Sequence, residues 1–118
     1  MEGSERMILE KKIIEYLNPL LSVPVVTETP EDDTDSYVRI ERVGRAVRNR
    51  VTTDSIAFQS YGATVLDAAE LDEEVQGCME GFISLDEISS VTLQSNYNAT
   101  DTSNLKYRYQ CIYDIVYI

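Results

Sequence analysis

The stretch Leu105 to Tyr117, near the end of the 118-residue chain, constrains the fold more than any other. Tyr107, Tyr109, Cys111, Tyr113, Ile115 and Tyr117 fall on one side of it, and Arg108, Gln110, Ile112, Asp114 and Val116 on the other. A period of two divides residues between the faces of a β-strand and of no other regular element. At about 3.3 Å per residue the strand would span roughly 40 Å. That length predicts either a bend or a portion extending past the sheet of its own protomer.

Such a strand needs partners, and the chain offers them. Ile88 to Asn96 reads as the other arm of a hairpin, with the polar loop Tyr97 to Asn104 between the two. Tyr37 to Val43 alternates Val38 and Ile40 against Tyr37, Arg39 and Glu41. Asp54 to Tyr61 does the same, with Ile56 and Phe58 set against Ala57, Gln59 and Tyr61. Residues 44 to 53 then read as a connecting loop, longer than a hairpin needs. Val23 to Thr29, bracketed by Pro24 and Pro30, reads as an edge strand, or as a strand that starts after Pro24, because proline has no amide proton to give a ladder. The following Glu31 to Asp35 reads as a solvated acidic loop. A calcium loop of EF-hand type would need a glycine and a glutamate that are missing there.

Two segments carry helical spacing. Leu9, Ile13, Tyr16, Leu17 and Leu20 predict a helix over about 5–18, capped by Ser4 and ended by Pro19, with Leu20 and Leu21 folding back onto the core. Ala68, Leu71, Val75, Cys78 and Met79 predict a second over about 64–80. Thr64 stands near its start, Gly81 is the expected left-handed residue after its end, and Asp72 is expected among the acidic residues of its outer face. The whole chain, 1–118, reads as one α+β domain. It has two layers: a four- to five-stranded, mainly antiparallel sheet with both helices on one face.

The chemistry that the residues exclude narrows function. Histidine is absent, which removes the commonest general base, the commonest metal ligand and every Ser-His or Cys-His pair. The five glycines match neither a P-loop nor a dinucleotide fingerprint. No catalytic residue, cofactor or metal site is expected, and the carboxylates of the second helix read as a solvated face. Cys78 and Cys111 read as free thiols serving as small core residues. No apolar run approaches the roughly 20 residues of a membrane span, and the first residues lack the apolar core of a secretory signal, so a cytoplasmic product is expected. Asn98-Ala99-Thr100 therefore carries no glycosylation expectation.

Charge supplies the positive signal. Acidic residues number 21 against 10 basic ones, a net charge of −11, yet Arg39, Arg42, Arg45, Arg48 and Arg50 fall within one short stretch. Arg42, Arg45, Arg48 and Arg50 can lie in solvent, pair bidentately with carboxylates of a second copy, or touch the phosphates of nucleic acid. Asp67, Glu70, Glu73 and Glu74 form the acidic face that a neighbouring copy's arginines would meet. A surface complementary to itself favours head-to-tail assembly, which closes into rings when the rotation permits.

Two stretches carry a family resemblance. One is Thr53-Asp54-Ser55-Ile56-Ala57-Phe58-Gln59-Ser60-Tyr61-Gly62 running into Ala68-Ala69-Glu70-Leu71. The other is Asn96-Tyr97-Asn98-Ala99-Thr100-Asp101 running into Arg108-Tyr109-Gln110 and Tyr113-Asp114-Ile115. With the first helix and Val23-Pro24-Val25, they resemble small tail-terminator or tail-completion proteins of long-tailed bacteriophages and prophages. The resemblance implies a virion subunit, assembled in the host cytoplasm, forming a hexameric ring at the head-proximal end of the tail. Its implied partners are itself, the tail-tube protein and the head–tail connector, with DNA passing non-specifically through the channel and no membrane. Gly44-Arg45-Ala46-Val47-Arg48 stands where similar sequences have a glycine-rich turn, which leaves open whether the arginines face a neighbour or the channel. A head–tail adaptor subunit is the nearest alternative. An acidic DNA mimic that inhibits a nuclease is the alternative from another class, and the clustered arginines count against it.

Overall fold

The structure, a computed structural model, describes residues 8–31, 36–103 and 106–118. In chain order the elements are α1 (Leu9–Leu17), β1 (Val25–Val26), β2 (Tyr37–Arg48), β3 (Val51–Gly62), α2 (Val65–Met79), a 3₁₀ turn (Phe82–Ser84), β4 (Ile88–Asn98) and β5 (Tyr107–Tyr117). The strands form one mixed sheet in the order β1-β2-β3-β5-β4, antiparallel except for the β1–β2 pair. Both helices pack on one face of it, so the expected α+β architecture is present.

The alternation of β5 places it inside the sheet. It pairs with β3 from Thr52↔Tyr117 to Gly62↔Tyr107, and on its other side with β4 from Ile88 to Asn98. No described part of β5 reaches past its own sheet, because β3 and β4 are long enough to pair with it throughout. Asn104 and Leu105 lie outside the described residues. The helix-facing side chains Cys111, Tyr113, Ile115 and Tyr117 are all buried, and the Tyr113 ring meets Phe58 edge-on at 5.7 Å between centroids. Phe58, Ile56, Ile40 and Val38 continue this layer across β3 and β2. Leu9, Ile13 and Leu17 of α1 and Val75 and Met79 of α2 close it from above.

The helices begin and end for local reasons. Ile8, expected within the helix, is extended and makes no side-chain cap, so α1 starts at Leu9; residues 5–7 of the expected span lie outside the described residues. The expected cap, Ser4, lies outside the described residues. Asn18 ends α1 ahead of Pro19, and its carboxamide oxygen accepts from the Val25 amide at 3.2 Å, tying the helix end to β1. Leu21 reaches the core, whereas Leu20 stays 54% exposed, contrary to expectation. One turn of chain can aim only one of the two neighbours inward. Thr64 caps α2 by accepting from the Asp67 amide at 3.0 Å.

Gly81 is not the left-handed residue expected after α2: its φ is −86° and the chain continues into the 3₁₀ turn. Its lack of a side chain serves packing instead. A Cβ there would stand 2.7 Å from the Tyr16 hydroxyl, which donates to the Cys78 carbonyl at 2.6 Å and joins the two helices. Gly62 is tighter still, because a Cβ would lie 2.6 Å from the Ala68 amide nitrogen. The end of β3 touches the first turn of α2 backbone to backbone.

The stretch 44–53 departs most from expectation. It is not a loop. β2 and β3 continue as a hairpin to a two-residue turn at Asn49 and Arg50, whose φ values of 52° and 67° are those of a type I′ turn. The usual signal for that turn is Asn-Gly, and Arg in the second place hides it. Val43 is an extra residue that shifts the register between Arg42 and Gly44. β4 likewise runs two residues further than expected, and an isolated bridge, Asp101↔Lys106, follows it. β1 is shorter than expected, although an edge strand as predicted. Asp32 to Asp35 of the acidic stretch lie outside the described residues.

Close approach at Gly62 sets a first test. Gly62→Ala should lower stability by about 3 kcal/mol, since backbone atoms cannot yield to the new methyl. Gly77→Ala, on α2 with nothing within 4 Å of its Cβ position, should raise it by about 0.5–1 kcal/mol. Urea denaturation followed by circular dichroism measures both.

Candidate subunit interface

The arginines of the hairpin divide into one that is held and three that are presented. Arg45 pairs across the strands with Asp54, and its guanidinium donates from Nε to Oδ1 at 2.7 Å and from Nη2 to Oδ2 at 3.0 Å. The Tyr117 hydroxyl donates to the same carboxylate at 2.6 Å and accepts from Arg45 at 3.0 Å. Asp54 is wholly buried. Burial alone would push its carboxyl up; the hydrogen bonds from Arg45 and Tyr117 outweigh that and hold it below its ordinary value. Tyr117, desolvated beside the carboxylate, is pushed up to about 12. This cluster pins the root of the hairpin to the end of β5, so Arg45 is committed within the protomer.

Arg42, Arg48 and Arg50 are exposed, and among the described residues none has a salt-bridge partner. They stand with Val43, Val47 and Val51, which are 52%, 63% and 36% exposed. An open groove of about 430 Å³ at the hairpin end is lined by Ala46, Val47, Arg48, Asn49, Val51 and Thr53. Holding Arg50 in the left-handed region costs about 1 kcal/mol that glycine would not incur. The side chain at the tip is therefore not there for the turn.

The acidic residues of α2, Asp72 excepted, lie in solvent. Asp67, Glu70, Glu73 and Glu74 of α2 are all exposed. Leu66, 66% exposed, stands among them and escaped notice in the sequence because it breaks the apolar spacing. Asp72 departs from expectation: it is 2% exposed and faces the sheet. Its Oδ2 accepts from Gln76 at 2.7 Å and from Asn96 of β4 at 2.8 Å, while Oδ1 has no partner and the Cys111 thiol lies nearby. Burial pushes its carboxyl above the ordinary value despite those two donors. Position 72 lies between Ala68 and Val75 on the helix, so the turn of α2 carries it inward whatever its charge.

The uncovered face of the sheet holds a polar ladder across four strands. Arg39 donates to Gln59 at 2.7 Å, Gln59 to Gln110 at 3.1 Å, and Gln110 to the Tyr97 hydroxyl. At one end Tyr37 and Tyr61 stack at 4.4 Å, with the Arg108 guanidinium 5.7 Å from the Tyr61 ring centre. The strand alternation put Arg39, Gln59 and Gln110 on strand faces, whereas Tyr97, read as a loop residue, joins them because β4 runs on to Asn98, and the bonding along the row depends on the register. Among the described residues, no three His, Cys, Asp or Glu side chains are grouped to hold a metal ion, and no helix is long and apolar enough to cross a membrane. No protein-family model matches the chain, and no curated protein matches it.

Two buried carboxylates give opposite pH behaviour. Because the pKa of Asp54 is depressed by folding, its pair contributes stability above the ordinary aspartate range and loses it as pH falls through the depressed value. Arg45→Ala should cost about 2 kcal/mol at pH 7, discounted for the partial exposure of Arg45. The penalty should shrink in acid, where the stranded Asp54 takes up a proton. Asp72, whose pKa is raised, favours the fold below its ordinary value and costs stability as pH rises through the raised one. Asp72→Asn should therefore stabilise by about 1 kcal/mol at pH 7 and by nothing below about pH 4. Thermal melts across pH follow both.

Proposed function

We propose that this protein is a ring-forming structural subunit, without catalytic chemistry, that caps a bacteriophage tail tube and joins the tail to the head. The observation that carries the assembly part is the separation of charge on one rigid protomer. Arg42, Arg48 and Arg50 stand exposed, without a salt-bridge partner among the described residues, on a hairpin locked by Asp54, and Asp67, Glu70, Glu73 and Glu74 stand exposed on α2. Two unlike patches that fit each other between copies, rather than one patch that fits itself, produce a head-to-tail contact and hence a closed ring or a filament. Arginine suits such pairing because its planar fork meets carboxylates bidentately. The sequence resemblance to tail terminators supplies the reading of what the ring does: it ends tube polymerisation and presents a surface to the connector.

Light scattering with negative-stain imaging tests the proposal. A six-fold ring is the expected result, and a monomer at micromolar concentration would sink it. Reversing Arg48 and Arg50 together to Glu should dissociate the ring while leaving the melt unchanged, since among the described residues neither has a hydrogen-bond or salt-bridge partner, whereas Arg42 also helps to hold the Asp54 carboxylate. Pull-down with tail-tube protein against connector protein then distinguishes the terminator role from that of an adaptor.

A further inference from the structure

The sheet has two open edges, and they differ in kind. On one side β1 covers only Val38 and Arg39 of β2. From Glu41 to Arg48 the outer side of β2 has no strand partner among the described residues, and every residue there is exposed. On the other side β4 is the outermost strand over its whole length, Ile88 to Asn98. Edge strands are ordinarily guarded by charges or proline, because their free amides and carbonyls invite another strand. The β2 edge is guarded by Glu41, Arg42, Arg45, Arg48 and the bulge at Val43. β4 is interrupted by two register shifts, between Ile88 and Ser90 and between Leu93 and Ser95, but carries no charge and no proline from Ile88 to Asn98, and presents Leu93 and Tyr97 at 43% and 45% exposure.

We infer that the open edge of β4 receives the open Glu41–Arg48 edge of β2 from a second copy, so that the sheet continues from one protomer to the next. The inference rests on the ring reading above and names the surface that closes it. Strand order sets the sense of pairing. β2, β3, β5 and β4 alternate in direction, so a neighbour that continues the sheet in the same sense lays its β2 antiparallel to β4. The lengths agree: eight residues of β2 reach about 26 Å and the eleven of β4 about 36 Å.

Side chains agree as well. On the helix-covered face, the distal part of β2 presents Arg42 and Val47, the partners of Ile56 and Thr52 in the register. On that face β4 presents Val91 and Leu93. Further along the same face Asn96 of β4 donates to Asp72 of α2, a helix on which Glu73 and Glu80 are exposed. An incoming β2 thus brings valine to leucine and arginine to glutamate. Two copies of β4 pairing with each other would bring no arginine to those carboxylates.

Hydrogen exchange with mass readout tests the inference on the wild-type protein, comparing the assembled form with the monomer obtained by dilution. Amides in Val91–Asn98 and in Glu41–Arg48 should both slow by at least about tenfold on assembly. The double variant Thr92→Lys with Leu93→Lys should be monomeric at concentrations where the wild type assembles, with an unchanged circular dichroism spectrum. A wild type that never assembles overturns the ring reading and this inference together. A ring in which the β4 amides exchange as fast as in the monomer, or which survives the lysines, overturns the edge pairing alone. A dimer with only β4 protected indicates β4–β4 pairing and overturns it too.

Discussion

Everything else in the protomer hangs on the pairing of β3 with β5. These two strands run together over their full length in the middle of the sheet, and their helix-facing side chains supply the floor of the core. Phe58, Ile56, Cys111 and Ile115 are each wholly buried along this seam. Burying a large apolar side chain contributes about 2–3 kcal/mol, so this one pair of strands carries a large share of the favourable free energy of folding. The helices, β1 and β4 are attached to it. The same pairing also carries Asp54 to Tyr117, which is how the end of the chain comes to hold the root of the hairpin.

That hold explains how a basic strand edge can be stiff without being covered. A hairpin end exposed on all sides would ordinarily fray, because two strands alone are marginal in water. Here β5 backs β3 as far as Thr52, the type I′ turn matches the twist of the strands, and the Arg45–Asp54–Tyr117 cluster anchors β2 just past its bulge. The backbone that presents Arg42, Arg48 and Arg50 is thereby held in place by contacts within the protomer. The acidic helix is equally fixed, capped by Thr64 and pressed onto β3 through the contact at Gly62.

Much of this was legible beforehand. Alternation in Tyr37–Val43, Asp54–Tyr61 and Tyr107–Tyr117 and the apolar stripes of both helices disclosed the layers, because burial on one face imposes those periods directly on the residues. The exposure of Asp67, Glu70, Glu73 and Glu74 followed from the same stripe. What escaped were features that depend on a partner elsewhere in the chain. The turn at Asn49 and Arg50 lacks a glycine and forms because β3 is already paired with β5. The turn of α2 carries Asp72 inward, but the amide that Asn96, distant in sequence, offers it there is not written in the helix's own pattern. Gly81 serves the Tyr16 hydroxyl of another helix rather than its own helix end.

The sequence by itself determined the elements, their buried faces and the segregation of arginine from carboxylate, since each is a property of residues close along the chain. Only the tertiary structure decided which strand is central, which edges are left open and which arginine is already spent. Those outcomes rest on strand order and register. A shift of one residue moves every side chain to the opposite face, and no local pattern records which of several compatible strands lies alongside. The alternating strand that first defined the fold accordingly lies inside the sheet, and among the described residues the open edges fall at β2 and β4.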